Sequence, residues 1–320
     1  MWSGQEELNF ERVLRKYEEL HPGIHFRNLG AVSDDTKTIR ALVAGVPPDL
    51  FTLSDASYLG PLADNHALMQ LDTRFKSSGL RESDFVPASL GMCRYRGRLF
   101  GMPFLIDDDA LLWNKHEFAQ AGMNPARPPR TLQQLADDAA RLTIRAPSGD
   151  IKQLGLRPPD LNLIMKLMGG NVLNPSTGEV EANSPANIRA LTWYKRLIDR
   201  EGGIARVSAF QSGFASSQGP GNPFFVGKIA MVIDGEWNPY WISRYAPRLE
   251  YGVTAAPPPE GHPERSGTTW FGGNVFCIPV AGKHPDEAWK FLVWAQSQQA
   301  QVMFAHDMNN VPNQREALYD

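Results

Sequence analysis

At 320 residues the chain exceeds what one ordinary hydrophobic core accommodates and calls for two domains, each burying its own apolar residues. Hydrophobic residues make up 42% and charged residues 21%, the proportions of a globular protein rather than a disordered or membrane-embedded one. The net charge of −3, with Lys and Arg scattered and no basic run interleaved with aromatics, excludes an electrostatic case for nucleic acid or an anionic membrane.

The chain opens with Met1-Trp2-Ser3-Gly4, which has neither the basic start nor the apolar segment of a signal peptide, so no export address is expected in it. Phe10, Val13, Leu14 and Tyr17 recur at helical spacing until His21-Pro22-Gly23 stops the helix. Residues 24–29 read as a strand and Asp35–Val43 as a helix closed by Gly45 and Pro47-Pro48. Residues 49–53 read as a second strand, with 54–58 beyond its carboxyl end. Strands alternating with helices predict a mainly parallel, doubly wound sheet.

Residues 95–104 read as a hairpin around Gly97, followed by the acidic loop Asp107-Asp108-Asp109 and a strand over 110–114. Thr131-Leu132-Gln133-Gln134 is a capping box ahead of Leu132, Leu135, Ala136, Ala139 and Leu142 on one helical face. Ser184-Pro185 places an N-cap and an N1 proline before an amphipathic helix carrying Ile188, Leu191, Lys195 and Ile198. Residues 211–223 are a Gly/Ser/Pro-rich loop. Strands are expected over 251–256 and 275–279, and Pro285 starts a helix whose inner face is Ala288, Phe291, Leu292 and Ala295.

The stretch 224–242, FFVGKIAMVIDGEWNPYWI, holds a short apolar run bounded by Gly227 and Asp234-Gly235, the signature of a strand buried on both faces. Glu236, Trp237, Tyr240 and Trp241 follow its carboxyl end, where ligands sit in open α/β sheets. Two uses of those aromatics stay open: core packing, the commoner one, and a flat platform for a sugar ring.

Catalytic signatures are absent: no GxSxG, HExxH or GxGxxG occurs. Gly221 to Lys228 has the wrong glycine spacing for a phosphate loop. The seven histidines do not cluster, and residues 174–179 fit a hairpin turn better than a calcium loop, so neither metal nor cofactor is expected. Cys93 and Cys277 match no metal-ligand spacing. They are expected as two free, partly buried thiols, with one disulfide left open. Asp107-Asp108-Asp109 has three readings: a solvated loop, a carboxylate pair for glycoside chemistry in which Asp107 or Asp109 works with Glu236, or acceptors for sugar hydroxyls.

Several segments together match a known family. Pro48-Asp49-Leu50-Phe51, Gly101-Met102-Pro103-Phe104 through Leu111-Leu112-Trp113-Asn114-Lys115, Phe118 through Gly122 with Pro128-Pro129-Arg130-Thr131, Gly227-Lys228-Ile229-Ala230-Met231 with Gly235-Glu236-Trp237, Gly272-Gly273-Asn274, the helix 284–295 and Val311-Pro312-Asn313-Gln314-Arg315 occur in the family's order. The chain resembles the extracellular solute-binding proteins of ABC sugar importers, the class that includes maltose-binding protein.

The resemblance implies a two-lobed, type II periplasmic-binding-protein fold of α/β class whose lobes are joined by crossing strands and close on a sugar by hinge motion. The first lobe would take 1–106 plus 275–304, and the second 107–274 plus 305–320. Ligand contacts carried over from the family are Gln5, Glu6, Ser54, Asp55, Tyr58, Asp107, Gly272, Gly273 and Asn274, with Trp237 as the stacking tryptophan; Arg157 and Asp160 occupy a looser segment. The implied role is a monomeric, non-enzymatic carrier, periplasmic or anchored at the cell surface, that delivers a carbohydrate to ABC permease subunits. Family members also begin with an export signal and a further strand, and continue past Arg315, so a chain cut short at both ends is expected, with a non-functional fragment as an alternative reading to the carrier and the glycoside-processing enzyme.

Overall fold

The computed structural model describes residues 5–29, 35–174, 177–214, 219–308 and 310–319, the side chains of Gln5 and Met308 excepted. The chain falls into two compact units, Met1–Asp107 with Phe271–Asp320 and Asp108–Trp270. It passes from one to the other inside the strand Leu105–Asn114 and again after Trp270. Among the described residues no helix is long and apolar enough to cross a membrane.

In the first unit Val275–Cys277 is the middle strand, antiparallel to Phe51–Leu53 on one side and to Met102–Pro103 on the other. The helix Gln5–Leu20 turns Val13, Leu14 and Tyr17 inward as its spacing predicts, and Pro285–Ala295 buries Ala288, Phe291, Leu292 and Ala295. Phe104 is the hub of this core. Its ring meets Phe276 at 4.4 Å and Phe304 at 4.0 Å, both edge to face, the favoured geometry for aromatic pairs. Cys93 and Cys277 are buried and free.

The tail belongs here rather than to the second unit. Val311 and Pro312 pair with Ile106 and Leu105, and the buried amide of Asn313 donates to Pro103 O and Phe104 O. Backbone pairing and a doubly donating side-chain amide hold the tail to this unit, whereas the resemblance implied 305–320 with the second lobe.

In the second unit a mixed sheet runs in the order Tyr251–Thr254, residues 109–114, Ile229–Gly235, Ile151–Leu156, Ile144–Arg145. Ile229–Gly235 is its centre and is buried on both faces, as its apolar run predicts. Ala230, Met231 and Ile233 join a core roofed by the helices Leu132–Leu142, Leu161–Leu167 and Pro185–Glu201. Ile229 and Val232 join another with Val207, Trp241 and Ile242. Fully burying such an aliphatic side chain contributes about 1.5–3 kcal/mol, which anchors the register. Caps fix the helix starts: Thr131 accepts from the Gln134 amide and Ser184 from the Asn187 amide. Gln134 turns its own side chain to the amide of Arg130 rather than to Thr131, so the box closes one residue early.

Four expectations are corrected. The sheets are not mainly parallel: the pairings named in the first unit and all those of the second except 151–156 with 229–235 run antiparallel. Residues 24–29 keep a strand's alternating exposure but have no ladder partner among the described residues. Asp107-Asp108-Asp109 lies within a strand, not a loop, because the ladder opposite Asp109 continues to Gly235. In Pro185–Glu201 the inner face is Asn187, Ala190, Leu197 and Ile198, while Ile188 and Leu191 are exposed. The turn over 174–179 is as expected at its described positions, the Asn174 amide donating to Glu179 O.

Candidate functional site

In the first unit the strand Phe51–Leu53 ends at Ser54, and the chain folds into a tight 3-10 turn, Ala56–Tyr58. Asp55 caps that turn, its carboxylate accepting from the Ser57 amide at 2.9 Å. Ser54 is engaged elsewhere: its amide and hydroxyl both donate to the carboxylate of Asp35. Ser54, Asp55 and Tyr58 therefore form one connected turn, as the sequence reading grouped them.

Glu6 and Asp107 are both half-buried, and each feels the other. Burial first, and the Asp107 charge second, push the Glu6 carboxyl above its usual range. Asp107 also accepts from the side-chain amide of Asn310 at 3.1 Å. Gly273 takes a φ of +142° with its Cα close to Leu105 O, and the carbonyl of Asn274 accepts from the Phe104 amide at 2.9 Å. Gly273 thus meets a backbone requirement. The side chain of Gln5 lies outside the described residues.

In the second unit the carboxyl end of Ile229–Gly235 gathers acidic groups against one guanidinium. Arg157 pairs with Asp234 at 2.9 Å and donates to Ile233 O. Glu236 extends the ladder: its amide donates to Asp108 O, and its carboxylate accepts from the Asp108 amide at 3.1 Å. Asp109 is gripped at its other edge by the Thr269 hydroxyl, which accepts from the Asp109 amide and donates to the Asp109 carbonyl. Burial, then the neighbouring Asp234 charge, raise the Asp109 carboxyl to about 6, with Arg157 opposing the rise. Burial also raises Asp108. Asp160 caps the helix Leu161–Leu167 and adds to the negative field at Asp109.

Trp237 stands half-buried beside this cluster, its ring folded back over Gly235. Trp241 is core and stacks on Tyr245 at 5.6 Å, and Tyr240 packs partly against the same core. Trp241 is thus core, whereas Trp237 and Tyr240 pack against that core only in part. Asp35, Thr269 and Asn310 were missed, since a side chain whose partner lies far along the chain leaves no local signal. Open cavities of about 640 and 750 Å³ lie elsewhere, one lined by Arg12, Met303 and His306 and the other by Glu117, Tyr245 and Arg248.

Carboxylates half-withdrawn from water beside an indole face suit a ligand rich in hydroxyls with an apolar ring face. Comparison with known proteins agrees in family: the model described as bacterial extracellular solute-binding protein matches residues 3–302. The chain belongs to that family. It is 26% identical over 321 residues to a binding protein of Brucella abortus (strain 2308), spanning 97% of this chain and 74% of that one. The solved structure of CpMnBP1 with mannotriose bound superposes with a TM-score of 0.87 at 29% identity, covering 99% of this chain and 82% of that one. The sn-glycerol-3-phosphate-binding periplasmic protein of Escherichia coli (strain K12) is 42% identical over 141 residues, 43% of this chain and 31% of that one. The superposition bears out the two-lobed type II fold that the resemblance implied.

Proposed function

We propose that this solute-binding protein takes up a sugar or oligosaccharide and delivers it to the permease subunits of an ABC transporter, acting as a monomeric carrier rather than an enzyme, in the periplasm or anchored at the cell surface. The observation that carries the reading is the likeness, over 99% of the chain, to a protein that holds mannotriose. The proposed contacts are Gln5, Glu6, Ser54, Asp55, Tyr58, Asp107, Gly272, Gly273 and Asn274 from the first unit and Trp237 from the second. Sugar hydroxyls donate to the carboxylates while a ring stacks on Trp237. Stacking plus charge-assisted hydrogen bonds suffices for micromolar affinity, about −8 kcal/mol. Binding that favours one arrangement of the two units supplies the signal a transporter reads.

A phosphate-bearing ligand is the second reading, favoured by the identity with the Escherichia coli protein over part of the chain. The charges oppose it. Asp108, Asp109, Asp234 and Glu236 crowd one strand end, and Arg157 is committed to Asp234 and Ile233 O. Thermal unfolding against mono- and oligosaccharides, with glycerol 3-phosphate alongside, separates the two, since a ligand that binds only the native state raises Tm. An upward shift with a sugar is expected. A shift with glycerol 3-phosphate alone replaces the carbohydrate reading by the second.

A further inference from the structure

Asp35 is the first residue of the helix Asp35–Val43, and its carboxylate collects hydrogen bonds from the far end of the strand Phe51–Leu53. The Ser54 amide donates to Oδ1 and Oδ2 at 3.2 and 3.1 Å, the Ser54 hydroxyl to Oδ2 at 2.9 Å and the Asp55 amide to Oδ2 at 3.1 Å. Ser54 and Asp55 have just left the ladder, so Asp35 takes over as acceptor where the strand stops. The order propagates along the turn. Asp55, held by its amide, caps Ser57, and the Tyr58 amide closes onto Asp55 O at 3.2 Å. One carboxylate thus fixes the run from Ser54 to Tyr58.

We propose that Asp35 is a positioning residue for carbohydrate binding, presetting the Ser54–Asp55–Tyr58 turn without touching the ligand, an inference that rests on the carbohydrate reading above. The geometry distinguishes positioning from a purely structural role. The clamped groups are at the surface, so water satisfies them when Asp35 is removed and the fold loses little. The turn, however, then samples conformations that the ligand must select against, and affinity falls by the fraction lost.

The test begins without ligand. Amide hydrogen exchange at Ser54 and Asp55 is expected to speed up about tenfold in Asp35→Ala, with Asp35→Asn between the two because it keeps one acceptor oxygen. Unchanged exchange overturns the inference. Calorimetric titration with mannotriose is then expected to show affinity weakened about tenfold in Asp35→Ala and about threefold in Asp35→Asn, with Tm nearly constant. In a Tyr58→Ala background the Asp35→Ala loss shrinks to about twofold or less, since a residue acting through the turn loses its lever when the turn's aromatic is gone. Additive losses, an unchanged affinity with a lowered Tm, or a gain in affinity each overturn positioning. If the unaltered protein binds no sugar, it is the carbohydrate reading that fails, and the exchange experiment still decides the clamp.

Discussion

The indole of Trp237 lies over Gly235 so closely that a methyl group at Gly235 would come within 2.2 Å of its ring. Glycine at 235 therefore sets where the proposed stacking surface sits. Asn238 braces the same turn, its side-chain amide donating to Gly235 O at 2.9 Å.

Gly235→Ala is expected to push the ring aside while leaving the strand intact, because the clashing atoms are the far end of a side chain. Sugar affinity falls about tenfold or more, close to the loss from Trp237→Ala, while stability drops by about 1 kcal/mol. Tryptophan fluorescence with calorimetric titration checks both. Full affinity in Trp237→Ala refutes the stacking assignment.

Asp109 and Arg157 give a pH dependence with a definite sign. The Asp109 carboxyl ionises near 6 when folded, above its usual 3.8, so ionisation works against the fold as pH rises from about 4 to 6. Stability to urea is therefore expected to fall across that window in the parent and to flatten in Asp109→Asn. Arg157→Gln removes the cation that restrains the shift and strands Asp234. NMR titration is expected to place the Asp109 midpoint higher, and urea unfolding to show a loss of about 2–3 kcal/mol. An unmoved midpoint contradicts the coupling.

Much of this architecture was legible because its causes are local. An apolar run bounded by glycines marked Ile229–Gly235, and Thr131 and Ser184 marked two helix starts. Legibility failed where partners lie far along the chain. Asp107-Asp108-Asp109 has poor strand propensity, yet Gly235 opposite Asp109 and the Thr269 hydroxyl hold it extended. Pro185–Glu201 buries Asn187, whose amide donates to Asn171 O and Glu181 O, and exposes Ile188 and Leu191, so the hydrophobic face misleads. In the candidate site the family motifs led to Trp237 and Asp107, but nothing local announces Asp35.

Glu201 ends the helix Pro185–Glu201 fully buried, with one carboxyl oxygen accepting from the Leu156 amide at 2.8 Å and the other without a partner. Burial raises its carboxyl to about 8. The unfolded chain releases this proton near 4.5, whereas the native state keeps it, so stability falls as pH rises from about 4.5 to 8 and levels off above. Each pKa unit is worth about 1.4 kcal/mol, so a contribution on the order of 5 kcal/mol is expected across that window. Glu201→Gln keeps the acceptor for Leu156 and removes the titration. Its urea midpoint is expected to exceed the parent's at pH 8 and to match it near pH 5; parallel curves at both would show that Glu201 is not the group responsible.

Gly273 carries two burdens that can be separated. Its φ of +142° disfavours any side chain, and a Cβ there would lie 2.1 Å from Leu105 O and 3.2 Å from the Met92 methyl. The clash is with backbone, in the strand that carries Asp107, so relief requires that strand or the Asn274–Phe104 hydrogen bond to shift. Gly23 supplies the control: it too has a positive φ, +103°, but its Cβ would meet nothing within 4 Å. Gly23→Ala is expected to cost about 1–2 kcal/mol for conformation alone. Gly273→Ala should cost about 3–5 kcal/mol, the excess being the close approach to Leu105. Urea unfolding of both variants measures the difference. Equal costs would mean that the backbone around Leu105 yields freely, and Gly273 would then be required for its conformation only.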